Sequence, residues 1–402
     1  MFGGAQISEP QGIGGFDFSQ LGEMLSRLGR AFSSGGDGSS LSPETVRELA
    51  AVRNDAAVPP ELLSQCIDAL RVADLWLDQH LSFTSTQLPG QTWNRAQWVN
   101  GSVATWCAVV EPLSNSLGSA VGSALSAEAE PEMAGMAGIF AQMNEMMKKI
   151  GSVMFATQLA EALKTAAETV TGAGDVGIPL IEPVRAILIP ENVLKYADGL
   201  NIPFGEVLHY LALREQASAR LFTHAPWLRD AITDSVKAYS AGIHVNIEKV
   251  QGDFEQLSGN PEAINEAIQN GLFAPEESEA QRLALKRLEL LIALVEGWID
   301  EVSAQAADAQ LPHSQALREM SRRRRATEGP LQRIFAALLG LEVSPRMARD
   351  AAHFFKVQGE IHGNEYRDGL WESIGSLPLA EELSSPEVFK DGRSAPDDLS
   401  AL

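Results

Sequence analysis

The chain has 402 residues, 45% of them apolar, which is enough to form a large buried core. Its formal charge is −22, from 53 acidic and 31 basic residues, and a surface of that sign repels nucleic-acid phosphates and anionic membranes. No run of about 18 uncharged apolar residues predicts a membrane span, and the N-terminus lacks the pattern of a secretion signal. These features predict a soluble, cytoplasmic protein without nucleic-acid or membrane partners.

The patterning divides the chain into three parts. Residues 1–42 are rich in glycine and serine and predict a flexible tail, residues 43–389 predict one large helical domain, and residues 390–402 predict a polar tail. Within the first tail, apolar residues recur at helical spacing over Leu21–Phe32. That short helix either docks on the chain's own body or binds a protein or peptide partner of unknown identity.

Helical periodicity dominates the large domain, so we expect a mainly α fold. Pro112 is expected to stop or kink one of its helices. The methionine-rich stretch over 133–154 indicates either core packing or an adaptable binding groove. Cys66 and Cys107 lie in apolar stretches and match no metal or redox spacing, which predicts two buried, reduced thiols.

The stretch TGAGDVG has the spacing of a dinucleotide-binding fingerprint at three glycines: Gly172, Gly174 and Gly177. The context is wrong, because the fingerprint should follow a strand and open a helix, whereas this one follows a helix. The pattern instead predicts a turn and then a small β-hairpin. Its strands would be Ile178–Ile181 and Arg185–Ile189, paired around Glu182-Pro183.

The next helix, HYLALREQASARLFTH, has the architecture of a zinc hydrolase's His-Glu-x-x-His without its histidines. Positions i and i+4 share a helix face, so two histidines there can bind one zinc while the intervening glutamate activates water. Here the two ligand positions are Arg214 and Ser218, and only the base position, Glu215, is intact. Downstream, Glu296 and Asp300 also stand at i and i+4.

At this point the chain resembles the bacterial zincin-like metallopeptidase family, whose members are described as proposed hydrolases or zinc-dependent metalloproteases of unknown substrate. The stretches that carry the resemblance span most of the chain: RVADLWLD, GDVGIPL, LHYLALREQASARLFTHAPWLR and LKRLELLIALVEGWID. One branch of the family has Arg-Glu-x-x-His, and this chain is most similar to that branch. The resemblance implies a mainly helical zincin-like fold.

By position, the resemblance assigns the first zinc ligand to Arg214, the second to Ser218 and the third to Glu296, with Glu215 as the base. Asp300 takes the place of the acid that orients the first histidine. Because both histidines are replaced, we expect no zinc, although the family implies it. An additional candidate ligand is His224, ten residues after Arg214. Bringing it to the metal would require a glycine at the turn between them, and this chain has Leu221 at that position.

We hypothesise that the Arg214 guanidinium replaces the metal and pairs with Glu296 and Asp300, while Ser218 fills vacated space. An exposed, locally paired Arg214 is the alternative. The leading functional hypothesis is a non-catalytic pseudo-metalloprotease that acts as a binding or scaffold protein. The alternative is a hydrolase or peptidase that uses Glu215 and Glu296 as an acid/base pair.

The basic run Arg322–Arg325 is unusual in so acidic a chain. Two interpretations remain open for it. It forms either a solvated face with intramolecular ion pairs or a site for an anionic ligand.

Overall fold

We analysed a computed structural model that describes residues 41–51, 57–127, 152–153, 155–242, 278–339 and 347–390. The expected helix Leu21–Phe32, nearly all of the methionine-rich stretch and the last twelve residues lie outside this part. The described residues are mainly helical, as the sequence predicted. None of their helices is both long and apolar enough to cross a membrane.

The helices and strands follow one another in this order: α1 (Pro43–Leu49), α2 (Pro60–Leu77), β1 (Gln91–Thr92), α3 (Arg95–Ala127), α4 (155–167), β2 (Ile187–Leu188), α5 (Pro190–Ala197), α6 (Phe204–His224), α7 (Trp227–Ala241), α8 (Glu279–Asp308), α9 (Ser314–Glu328), α10 (Pro330–Leu339), α11 (Ala348–His362) and α12 (Asn364–Gly369). Short 3-10 turns occupy Gly174–Val176 and much of the segment after α12. Of the two expectations at Pro112, a stop or a kink, the stop is wrong, because α3 continues through this residue.

Two long helices, α6 and α8, form the centre of the fold. Helix α6 packs against α2 and α8, and α8 packs against α7 and α11, so both are buried over most of their length. Helix α8 begins at a capping box, in which Ser278 and Gln281 bond each other's backbone N–H groups. Helix α6 ends at His224. Pro226 follows two residues later, and a proline disfavours the helical conformation of the residue before it.

The predicted β-hairpin is wrong in its pairing. Ile187–Leu188 is a strand, but its partner is Gln91–Thr92, far upstream, and the two run parallel. Residues 178–181 form no strand; a cis peptide bond joins Glu182 to Pro183. On the other side of β2, Leu188 forms an isolated antiparallel bridge with Gly172. The TGAGDVG stretch is therefore brought beside β2 and lies against α6.

The two cysteines are confirmed as buried free thiols. Burial raises the pKa of both Cys66 and Cys107 to about 12. Neither thiol is therefore a ready nucleophile, because the thiolate is the reactive form.

Candidate functional site

Arg214 projects from α6 toward two acids on α8. Its Nη2 donates to Glu296 Oε1 at 2.5 Å, and its Nη1 lies 3.7 Å from Asp300 Oδ1. All three side chains are at least 90% buried. The structure therefore brings Arg214 within ion-pair distance of both acids, which is the geometry that the metal-replacement hypothesis requires, and the exposed alternative does not hold.

Helix α9 supplies further arginines to the same acids. Arg325 Nη1 lies 2.7 Å from Glu296 Oε2, while Arg318 and Arg322 lie 2.8 and 2.7 Å from Asp300 Oδ2. These three arginines stand at i, i+4 and i+7, on one face of the helix. Both carboxylates are consequently held between α6 and α9.

The electrostatics of this cluster favour full ionisation. Burial alone would lower the pKa of Arg214, but Glu296 and the other nearby acidic groups outweigh it and hold that pKa above its ordinary value. Burial raises the pKa of Asp300, yet Arg318 and Arg214 overcome this and keep the pKa below its usual range. Ion pairs in such an interior persist because each charge has a close partner of opposite sign.

Glu215 accepts its hydrogen bonds from backbone N–H groups, and the TGAGDVG stretch covers it. The backbone N–H groups of Ala173, Gly174 and Ile187 donate to its Oε1 at 3.2, 3.2 and 2.9 Å, and Gly174 N–H also reaches Oε2 at 2.9 Å. Burial raises the pKa of Glu215 to about 8, against the lowering effect of these N–H groups and with a smaller contribution from Asp175. Glu215 is thereby fixed to backbone that is continuous with β2.

Ser218 lies beneath the same stretch. Its hydroxyl donates to the Arg214 carbonyl at 2.9 Å, one helical turn back. A Cβ built on Gly174 would collide with Ser218 Cβ, so the backbone at Gly174 lies directly on that small side chain. The space beside position 218 is therefore filled by the chain itself.

The close packing of Gly172 against Glu215 can be tested by substitution. A Cβ there would collide with the Glu215 carboxylate and come within 2.7 Å of the Ile187 carbonyl oxygen. We expect Gly172→Ala to lower the free energy of unfolding by about 1–3 kcal/mol, the usual cost of overpacking, measured by urea unfolding. Gly205→Ala is the control, since a Cβ there meets nothing within 4 Å. Equal stability of the two variants would contradict this packing.

His224 belongs to a different part of the molecule. Its ring stacks on Phe83 at 4.5 Å, and its Nδ1 contacts the Arg220 carbonyl at 3.0 Å. Ten residues of helix separate it from Arg214, a rise of about 15 Å. His224 is thus a helix-end packing residue in this structure and does not join the Arg214 cluster.

A cleft opens beside the cluster, between α6, α9 and the TGAGDVG stretch. Its volume is about 440 Å³, including the open solvent at its mouth. Tyr196 of α5 also lines it, and the walls include these polar and charged side chains: Asp175, Tyr196, Arg214, Glu215, Ser218, Ser321, Arg324 and Arg325. Three of the four candidate residues on α6, Arg214, Glu215 and Ser218, therefore line a concavity, and His224 does not.

The basic run 322–325 is largely paired within the molecule. Arg322 binds Asp300, the exposed Arg323 binds Glu319 at 2.8 Å, and Arg325 bridges Glu296 and Asp175. Arg324 instead donates to the Thr169 carbonyl and lies over the Tyr196 ring. The intramolecular interpretation therefore accounts for three members of the run and leaves the fourth in the cleft.

The sequence of this helical chain matches a known family. The sequence model for zincin-like metallopeptidases matches residues 40–389, most of the chain. The chain belongs to the zincin-like metallopeptidase family. This zincin-like chain is also similar in fold to the crystal structure of a proposed hydrolase with a novel fold from Chloroflexus aurantiacus. That likeness has a TM-score of 0.56 at 16% sequence identity and covers 86% of this chain and 96% of the other. No curated protein matches the chain.

The residues of this zincin-like chain do not fit the zinc ion that its family implies. At the positions to which the resemblance assigns the ligands, the first residue is Arg214, whose guanidinium stays protonated and repels a dication. The second is a serine whose hydroxyl is bonded to backbone, and both oxygens of the third, Glu296, are in ion pairs. Among the described residues, no three His, Cys, Asp or Glu side chains converge in a way that could hold a metal.

Two parts of this site were not predicted from the sequence. One is the bridging role of Arg325, although arginines at i, i+4 and i+7 on α9 are a visible signal of one basic face. The other is the set of backbone groups around Glu215. No side-chain pattern signals them, because the donors are main-chain atoms of Ala173, Gly174 and Ile187, between 28 and 42 residues upstream.

Proposed function

We propose that this zincin-like chain is a non-catalytic pseudo-metalloprotease, a metal-free binding protein that retains the scaffold of the enzyme. The observation that carries the proposal is the buried ion pair between Arg214 and Glu296, at 2.5 Å, two residues that the resemblance assigns to the first and third zinc-ligand positions. A cation already compensates the third-ligand carboxylate there, so the site is electrostatically complete without a metal.

The alternative, a hydrolase that uses Glu215 with Glu296, has one observation in its favour. A buried carboxyl with a pKa near 8 in a cleft is the kind of group that serves in acid/base catalysis. Against it, both Glu296 oxygens lie in ion pairs and Glu215 is bound by three backbone N–H groups. Neither acid has a free oxygen disposed to exchange a proton with a bound substrate.

The test is the zinc content of the purified full-length protein, measured by elemental analysis after incubation with zinc and desalting. We expect well below one zinc per chain, because the ligand positions hold a guanidinium and a bonded hydroxyl. One tightly held zinc per chain would overturn the proposal.

A matched activity measurement separates the two functions. If the chain hydrolyses a peptide library, Glu215→Gln should abolish that turnover, since an amide cannot take up a proton. We expect no turnover by either protein. Turnover that Glu215→Gln removes would establish the hydrolase instead.

A further inference from the structure

The cleft beside Arg214 has more positive than negative charge. Its own charged groups and their ion-pair partners comprise five arginines and four paired acids: Arg214, Arg318, Arg322, Arg324 and Arg325, against Asp175, Glu296, Asp300 and Glu301. Glu215 adds little negative charge at neutral pH, because burial raises its pKa to about 8. Among the side chains that the structure describes, one cationic charge in the cluster therefore has no carboxylate partner of its own.

That charge belongs to Arg324. Its Nη2 donates to the Thr169 carbonyl, and its guanidinium carbon lies 4.8 Å from the centre of the Tyr196 ring. Among the described residues, no acid lies within ion-pair distance of it, and its remaining N–H donors have no protein acceptor. A guanidinium held over an aromatic ring with its other donors unused is prepared to bind an anion.

Another donor in the same cleft also lacks an acceptor. The Tyr196 hydroxyl is buried without a hydrogen bond. Ser321, only 5% exposed, lines the cleft beside it. Buried donors are almost always satisfied, so an unsatisfied hydroxyl beside Arg324 favours a ligand that accepts hydrogen bonds.

A second, apolar pocket adjoins this cleft. Its volume is about 240 Å³, including the open solvent at its mouth, and Gly174 and Glu215 line both this pocket and the cleft. The rest of its lining is mainly apolar: Pro179, Leu180, Ile181, Val184, Ala219 and Phe222. A ligand whose anionic end lies against Arg324 can therefore place an apolar group nearby.

We propose that this cleft binds the C-terminal carboxylate of a peptide, with Arg324, Ser321 and Tyr196 as its donors and the adjoining pocket for the apolar terminal side chain. The assignment rests on the proposed function as a binding protein and names its ligand. A carboxylate matches the single unpaired charge and the planar fork of an arginine. A phosphate dianion would place a second, uncompensated negative charge near Asp175.

The first experiment compares four probes on the full-length protein at pH 7 by isothermal titration calorimetry. The probes are acetyl-Ala-Ala-Leu with a free carboxylate, the same peptide as its C-terminal amide, acetate, and inorganic phosphate. We expect the free acid to bind about tenfold or more tightly than the amide, since a charge-assisted hydrogen bond is lost in the amide. Acetate and phosphate should bind more weakly than the acid.

The variants locate the site. Arg324→Gln should weaken binding of the free acid about tenfold and leave binding of the amide unchanged, since it removes the charge-assisted donors. Arg323→Gln is the matched control, because the neighbouring Arg323 side chain is 75% exposed and paired with Glu319. If Arg324→Gln unfolds, Ser321→Ala decides the question, and it too should weaken the acid selectively.

Each other outcome overturns part or all of the assignment. Equal binding of acid and amide, or equal loss in the Arg324 and Arg323 variants, removes the carboxylate site. Tighter binding of phosphate shows a different anion site, and acetate as tight as the peptide acid overturns the peptide as the source of the carboxylate. Metal content keeps the two proposals apart: a zinc-containing protein overturns the pseudo-enzyme, whereas a metal-free protein that ignores the acid overturns only this ligand.

Discussion

Arg214→Met is expected to lower the free energy of unfolding by about 3 kcal/mol, the lower end of the cost of removing one partner from a buried ion pair. The substitution leaves Glu296 and Asp300 buried, at 8% and 3% exposure, with less compensating charge. The loss stays at the lower end because Arg325 still contacts Glu296, and Arg318 and Arg322 still contact Asp300. Urea unfolding at pH 7 measures it.

Two further variants identify the cause of the loss. Arg323→Met removes an exposed arginine and should change stability by no more than about 0.5 kcal/mol. The double variant Arg214→Met/Glu296→Gln should be more stable than the sum of the two single losses predicts, since coupled residues deviate from additivity by about 0.5–3 kcal/mol. A loss below about 1 kcal/mol for Arg214→Met would be typical of a surface pair and would contradict the role given to this ion pair.

How far the sequence predicts this site depends on the kind of contact. The i, i+4 spacing of Arg214 with Ser218, and of Glu296 with Asp300, places each pair on one helix face, and helical periodicity is a strong signal. The resemblance to a family then suggested that the two faces meet. The proximity of Arg214 and Glu296 in the structure follows from that combination.

Contacts that depend on non-repeating backbone were not predictable in this way. Strand β1 has only two residues, Gln91 and Thr92, which is too short for any alternating pattern. Without a visible partner, Ile187–Leu188 was paired with the nearest apolar stretch, and the hairpin was wrong. The same reason hid the backbone donors of Glu215, because one of them, Ile187, lies on that strand.

Glu215 should make the stability of the protein depend on pH. Its folded pKa, about 8, lies above the ordinary value of 4.5 because the side chain is buried. The folded state therefore binds this proton more tightly than the unfolded state does. The resulting stabilisation is fully present below pH 4.5 and is lost as the pH rises through about 8.

The titration of Glu215 is best measured between pH 6.5 and 8. Over these 1.5 pH units we expect the free energy of unfolding to fall by up to about 2 kcal/mol, which corresponds to the release of one proton on unfolding. The lowered pKa values of Asp175 and Asp300 change the stability only at acidic pH. The lowered pKa of His80 changes it only below the ordinary histidine value of 6.5. The two cysteine thiols, with pKa values near 12, act only from about pH 9 upward.

Urea unfolding of the wild type and of Glu215→Gln at several pH values across this window isolates the carboxyl. The glutamine variant should show a flat profile, whatever its absolute stability, because an amide has no proton to bind at this position. A wild-type profile as flat as the variant's would mean that the backbone N–H groups of Ala173, Gly174 and Ile187 keep Glu215 ionised. In that case Glu215 would neutralise the surplus charge of Arg324, and the carboxylate proposed for the cleft would lose its electrostatic basis.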